Sequence, residues 1–171
     1  LDPEALREQL AVLPQHPHLF HDTIAANLRM ARPEATEAEL EEACRHAGIW
    51  DFVKSLSSGL DTVVGETGLR LSAGEGKRIA LARTLLQDRG VYLLDEPTEH
   101  LDPDSEEAVL RGLRERLGGR TVVLITHRMA GLSEMEHIVV MDRGRVAEAG
   151  SYRELLERDG ALRQLLDLIE S

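Results

Sequence analysis

Apolar and polar positions along the chain alternate between two regimes. Short runs that are apolar at nearly every position, "AVL" before Pro14, "VYLL" before Asp95, "TVVLI" before Thr126 and "IVV" before Met141, have the length and β-branched content of strands. Between them, apolar residues recur every three or four positions, which predicts helices. "LDPEALREQL" opens on a Pro-Glu pair suited to a first helical turn, and "TIAANL" predicts one short helix. "TEAELEEACRHAGIWDFVKSL" sets Leu40, Ala43, Ala47 and Trp50 or Val53 on one face behind Thr36 as N-cap. "LSAGEGKRIALARTLLQ" predicts a long helix with an inner face of Ile79, Leu81, Ala82, Leu85 and Leu86. "DSEEAVLRGLRERLG" and a closing "SYRELLERDGALRQLLDLIE" predict two more, with a helical turn around "GLSEME". Gly59 to Gly68 reads as loop. Strands apolar throughout, separated by amphipathic helices, predict an α/β fold whose parallel sheet is covered on both faces. "MDRGR" is the exception, since Asp-Arg-Gly between two strands predicts a hairpin.

Composition narrows the classes. A chain of 171 residues with 42% apolar content is long enough for one globular domain with a real core. Its net charge of -11, with no basic stripe, argues against a nucleic-acid partner. One cysteine, Cys44, permits no disulfide within the chain, fits a reducing compartment and reads as an apolar filler. No apolar run approaches the roughly 20 residues that cross a bilayer, so a membrane role has to come through a partner segment.

Candidate chemistry sits where strands and helices begin and end. Ligands of open parallel sheets gather at the C-terminal ends of the strands, and there stand Asp95 and Glu96. One carboxylate can hold a hydrated magnesium ion while the next orients or deprotonates a water aimed at a phosphate; equally, Asp95 can simply cap the turn into Pro97. Ser72 is placed to cap a helix whose first turns hold Gly74 and Gly76, leaving backbone N–H groups at the positive end of the helix dipole free for a phosphate. Glycine there otherwise costs about 1 kcal/mol relative to alanine. Gln15 after "AVLP" and His127 after "TVVLIT" are ambiguous taken alone.

The order of these features resembles the nucleotide-binding domain of ATP-binding cassette (ABC) proteins along nearly the whole chain. "LPQHPHLFHDTIAANL" is similar to the Q-loop region, "LSAGE" to the signature, "VYLLDEP" to the Walker B strand, "HLD" to the D-loop and "ITHR" to the switch-histidine region. The resemblance implies a P-loop NTPase-like parallel sheet with a helical signature subdomain: residues 1–15 close one part of the ATP-binding core, 16–87 form the helical subdomain, and 88–171 complete the core. It implies ATP and Mg2+ as ligands, with Gln15 reaching the metal and the attacking water, Asp95 supporting the metal, Glu96 as general base and His127 on the γ-phosphate. Ser72, Gly74 and Glu75 are implied to contact ATP bound to a second subunit, and Asp102 to link the two sites. ATP then becomes part of the dimer interface, so binding closes it and hydrolysis loosens it.

This chain also departs from the pattern. ABC domains cradle phosphates with GxxxxGK followed by Ser or Thr (Walker A), and no such stretch occurs here; Gly76-Lys77 is followed by Arg78. The expectation is a piece of a longer protein that binds ATP poorly by itself, its sheet left incomplete beside the strand that leads to His127 and therefore rearranged, swapped or completed by another chain. Ala73 stands where the family usually has glycine, and His100 reads as a solvated loop residue. "TVVGETGLRLSAGE" is similar to the segment by which exporters touch the coupling helices of their transmembrane domain, with Glu66 as an acidic contact in the Gly65–Gly68 loop. "DEPTEHLD" with "THRMAGLSEMEHIVVMDRGRVAEAG" is similar to the C subunit of the bacterial thiol-reductant (cysteine/glutathione) exporter, which pairs with a D subunit at the cytoplasmic face of the inner membrane and serves cytochrome bd assembly. Two other classes stay open: an ATPase of DNA repair or chromosome maintenance, which carries a coiled-coil insertion where this chain has its short helical segment, and a non-catalytic binding module.

Overall fold

Asp2 begins the first element by accepting a hydrogen bond from the Glu4 N–H, capping helix α1 (Pro3–Gln9), which runs directly into strand β1 (Leu10–Leu13). The computed structural model describes residues 2–65 and 68–170. After β1 come β2 (Asp22–Thr23), α2 (Ile24–Arg29), α3 (Glu37–His46), α4 (Trp50–Ser55), β3 (Val63–Val64), α5 (Ala73–Leu85), β4 (Val91–Asp95), α6 (Pro103–Leu117) and β5 (Thr121–Ile125). β6 (Ile138–Asp142), β7 (Arg145–Gly150), α7 (Tyr152–Glu157) and α8 (Ala161–Glu170) follow. The chain divides into two compact units, one ending at His127 and the other starting at Arg128.

In the first unit β4 lies between β1 and β5, and both pairings are parallel. Register fixes two faces. Ala11, Leu13, Tyr92 and Leu94 share one and are fully buried with the apolar faces of α2, α3 and α5. Val12, Leu93, Val123 and Ile125 share the other. There Val12 is 46% exposed, Val123 47% and Ile125 47%. The expectation of a sheet covered on both faces is therefore met on one face only. Among the described residues no strand pairs with the free side of β5, and the sheet is three strands wide.

Two helix forecasts and one loop forecast need correction. The Thr36 segment does form a capping box with Glu39, but its helix stops at His46 because Gly48 takes a left-handed φ of 64°. The Ile49 N–H then bonds the Cys44 carbonyl and the Gly48 N–H that of Arg45, a Schellman ending that starts α4 in a new direction. The closing helix is likewise two, broken at Asp159 (φ 50°) and Gly160. The glycine-rich stretch forecast as loop contains a 3-10 turn at Gly59–Asp61 and strand β3, which pairs antiparallel with β2.

In the second unit β6 and β7 form the forecast hairpin, with Arg143 (φ 46°) and Gly144 (φ 74°) both left-handed as a type I′ turn requires. Ile138, Val140, Leu155 and Leu162 make its small core.

Candidate functional site at the ends of the parallel strands

β4 delivers Asp95 to its C-terminal end half-buried, and the chain turns at once. Glu96 continues the ladder by donating its N–H to the Ile125 carbonyl at 2.8 Å. Its φ of 49° is left-handed, an arrangement that costs a residue with a Cβ and is concentrated at functional sites. The turn buries the Glu96 side chain, so that the residue is 8% exposed, and points it toward the end of β5. There Oε1 accepts the His127 backbone N–H at 3.1 Å and lies 2.7 Å from His127 Nδ1. Oε2 is buried and accepts no hydrogen bond from the described residues. Buried acceptors are nearly always satisfied, so this one leaves room for a further donor. Two neighbouring parallel strands thus bring together the acid and the histidine, 31 residues apart in sequence.

The start of α5 is built as forecast. The Glu75 N–H donates to Ser72 Oγ at 3.2 Å and the Ser72 N–H to Glu75 Oε2 at 2.7 Å, a reciprocal capping box. Ser72 and Glu75 thereby spend side-chain capacity on the helix itself. The amides of Ala73 and Gly74, first in the helix, have no intrahelical acceptor.

Asp102 is also a cap: its carboxylate accepts from the Ser105 N–H at 2.9 Å and from Ser105 Oγ at 2.7 Å, starting α6. These bonds hold the Asp102 carboxyl below its usual range, the side-chain bond from Ser105 contributing most.

Gln15, two residues past β1, is exposed and lines a cleft of about 430 Å³ together with Ser72, Ala73, Gly76, Lys77 and Glu99. Asp95, Glu96 and His127 do not line it, and among the described residues no hydrogen bond joins Gln15 to any of them. The chain alone therefore presents two separate clusters: Asp95–Glu96–His127 at the strand ends, and Gln15 with the helix start. Glu66 lies outside the described residues.

Sequence reasoning missed one feature of the cleft wall. Lys77 is almost completely buried and its Nζ pairs with Glu99 Oε2 at 2.8 Å. That hydrogen bond, first among the causes, holds the Glu99 carboxyl below its ordinary range. Nothing in a spacing of 22 residues between a helix and a loop announces such a pair.

Hard oxygen donors suit magnesium, and Asp95 and Glu96, consecutive at the end of β4, are donors of that kind. Among the described residues no group of three or more His, Cys, Asp or Glu side chains forms a self-sufficient metal site. This donor set fits a metal that arrives coordinated by a nucleotide's phosphates, as substrate.

The family described as "ABC transporter" matches residues 2–99. The chain is 44% identical over 167 residues to the mitochondrial potassium channel ATP-binding subunit of Xenopus tropicalis, spanning 97% of this chain and 24% of that protein. It is 44% identical over 162 residues to the ATP-dependent lipid A-core flippase of Yersinia pestis bv. Antiqua, covering 94% of this chain and 28% of the flippase. A bacterial Atm1-family ABC exporter solved with ATP bound superposes with a TM-score of 0.92 at 39% identity, over 98% of this chain and 30% of that one. The chain spans about a quarter to a third of the relatives it matches. With more than half its length in the family match and strand-end acids, capped helix start and histidine in the order described, the chain belongs to the ABC transporter family.

Proposed function

We propose that these 171 residues are the greater part of the ATP-hydrolysing domain of an ABC exporter, paired with a second such domain and coupled to transmembrane segments at the cytoplasmic face of a membrane. The observation that carries this reading is Glu96: one oxygen accepts the His127 backbone N–H and lies 2.7 Å from the ring Nδ1, and the other is left idle. The idle oxygen is the natural acceptor for the proton of an attacking water, and Asp95 the natural support for the magnesium that accompanies ATP. Bound magnesium neutralises charge developing on the phosphates. Ser72, Gly74 and Glu75 face a nucleotide held by the partner domain, Gln15 reaches its own, and Asp102 sits on the loop between.

The phosphate-cradling loop comes from residues outside this chain, and its strand takes the free side of β5. The place of β5 at the end of the strand order, with no partner on that side among the described residues, supports that placement. In the full-length protein Glu96→Gln is expected to lower ATP turnover by about 10²- to 10⁴-fold, the span of a general base, while ATP binding is retained. Turnover at the wild-type rate in that variant removes Glu96 from the role and the proposal with it.

For the cargo, the "DEPTEHLD" and "THRMAGLSEMEHIVVMDRGRVAEAG" stretches support a thiol exporter, a C-type subunit that works with a D subunit on cysteine or glutathione. Relatives at similar identity carry other names, a lipid A-core flippase among them. The same preparation in inverted vesicles decides: ATP-dependent uptake of cysteine or glutathione is expected, and lipid translocation without thiol uptake overturns the narrower reading.

A further inference from the structure

Lys77 occupies a poor place for a cation. It lies in the second turn of α5, near the positive end of the helix dipole, and its side chain is only 5% exposed. A buried ammonium is strongly unfavourable without a partner, and an ion pair there is no more stable than apolar residues of the same volume. Burial energy alone therefore does not explain a lysine here. What an ion pair adds is a fixed distance and direction between two elements, in this case the helix and Glu99 at 2.8 Å.

Glu99 belongs to the loop between β4 and α6, and that loop is anchored at further points. The Glu99 N–H bonds the Glu96 carbonyl at 3.2 Å. Thr98 Oγ1 donates to Glu106 Oε1 of α6 at 3.0 Å, both residues buried. Leu101, 8% exposed, lies so close over α5 that a Cβ on Gly74 would stand 3.1 Å from its Cδ2 and 3.4 Å from the His100 carbonyl. His100 reaches this path through a left-handed φ of 63°. One short loop thus ties the end of β4, the cap of α6 and the start of α5 together, and the Lys77–Glu99 pair is its charged rivet to the helix.

We propose that Lys77 and Glu99 are positioning residues: their ion pair locks the loop from Glu96 to Asp102 onto the first turns of α5, so that the acid at the strand end and the helix start offered to the partner's nucleotide move as one body. Its activity side rests on the ATPase reading above; its structural side rests on packing alone. Three variants of the full-length protein in lipid test it: Lys77→Met, the apolar pair Lys77→Met with Glu99→Leu, and the reversed pair Lys77→Glu with Glu99→Lys. Lys77→Met is expected to lower kcat about ten-fold or more with KM within about two-fold, the mark of an effect on the reacting arrangement. Amide exchange over residues 98–102 should accelerate about ten-fold in the same variant as the loop comes loose. The apolar pair should recover the melting temperature without recovering kcat or amide protection, and the reversed pair should regain kcat to within about three-fold, because it restores the direction as well as the burial. An apolar pair with wild-type kcat and protection overturns the proposal, since packing would then suffice. A wild-type protein without ATP turnover sinks the ATPase reading instead, and the exchange rates still decide whether the rivet exists.

Discussion

Glu96 and Gly112 show how single positions are set by what the backbone does around them. Glu96 needs its left-handed turn to reach His127 across the strand ends; an extended backbone would send the side chain elsewhere. Gly112 lies within α6, where alanine ordinarily gains about 1 kcal/mol in helix propensity. Here the gain is outweighed. A Cβ on Gly112 would stand 2.1 Å from the His46 carbonyl oxygen and 2.7 Å from its carbon, backbone atoms that cannot rotate away, so α3 and α6 would have to separate. Gly112→Ala is expected to destabilise by about 2 kcal/mol, the usual scale of forced overpacking. Chemical denaturation checks it: a lower midpoint at unchanged slope is expected, and a raised midpoint contradicts the contact. Neither the torsion nor the crowding was legible beforehand. "DEP" marks a carboxylate at a strand end and the family resemblance sets His127 at the same site, but the torsion that joins them emerges only once β4 and β5 pair, and a glycine amid "VLRGLRERL" gives no hint of the carbonyl it admits.

Among the elements, those whose ends carry their own chemistry were legible and those ended by a neighbour were not. Ser72 and Thr36 each announced a helix start, and each caps one; Asp102 caps α6 without having been read as a cap. The breaks at Gly48 and Asp159–Gly160 interrupt runs whose apolar spacing continues across them, so periodicity alone joined α3 to α4 and α7 to α8. The start of α3 carries a pH signature. Arg32 bonded to Glu39, first, and then the Thr36 amide and hydroxyl draw the Glu39 carboxyl from 4.5 down to about 2. A carboxyl depressed by folding contributes stability that is complete above its ordinary value and is lost as pH falls from there through about 2. Glu39→Gln keeps an acceptor and removes the charge. Its melting temperature is expected to lie below wild type at neutral pH and to converge with it between about pH 5 and pH 2. A gap that stays constant through this acid range refutes the linkage. The gap itself should be modest, since the Glu39 side chain is 40% exposed and water screens the pair.

For the whole molecule, order along the chain gave the parallel sheet and the family, while the sheet's limits are seen only in three dimensions. β5 is apolar as a buried strand is, yet Val122, Val123 and Ile125 are 39%, 47% and 47% exposed and its outer side is unpaired among the described residues. An apolar edge with free N–H and C=O groups is a template for another strand. The same two substitutions should therefore have opposite effects in two contexts. In the 171-residue chain alone, Val123→Lys with Ile125→Lys places charges on an open face, and self-association is expected to weaken by about ten-fold or more, as seen by sedimentation. In the full-length protein, where the proposed upstream strand and its phosphate loop cover that face, the two ammonium groups are buried without partners and the domain should fail to fold or lose ATP turnover. Solubility gained in the short chain together with full activity in the long one would show that β5 is an edge in both, and the upstream strand would have to dock elsewhere.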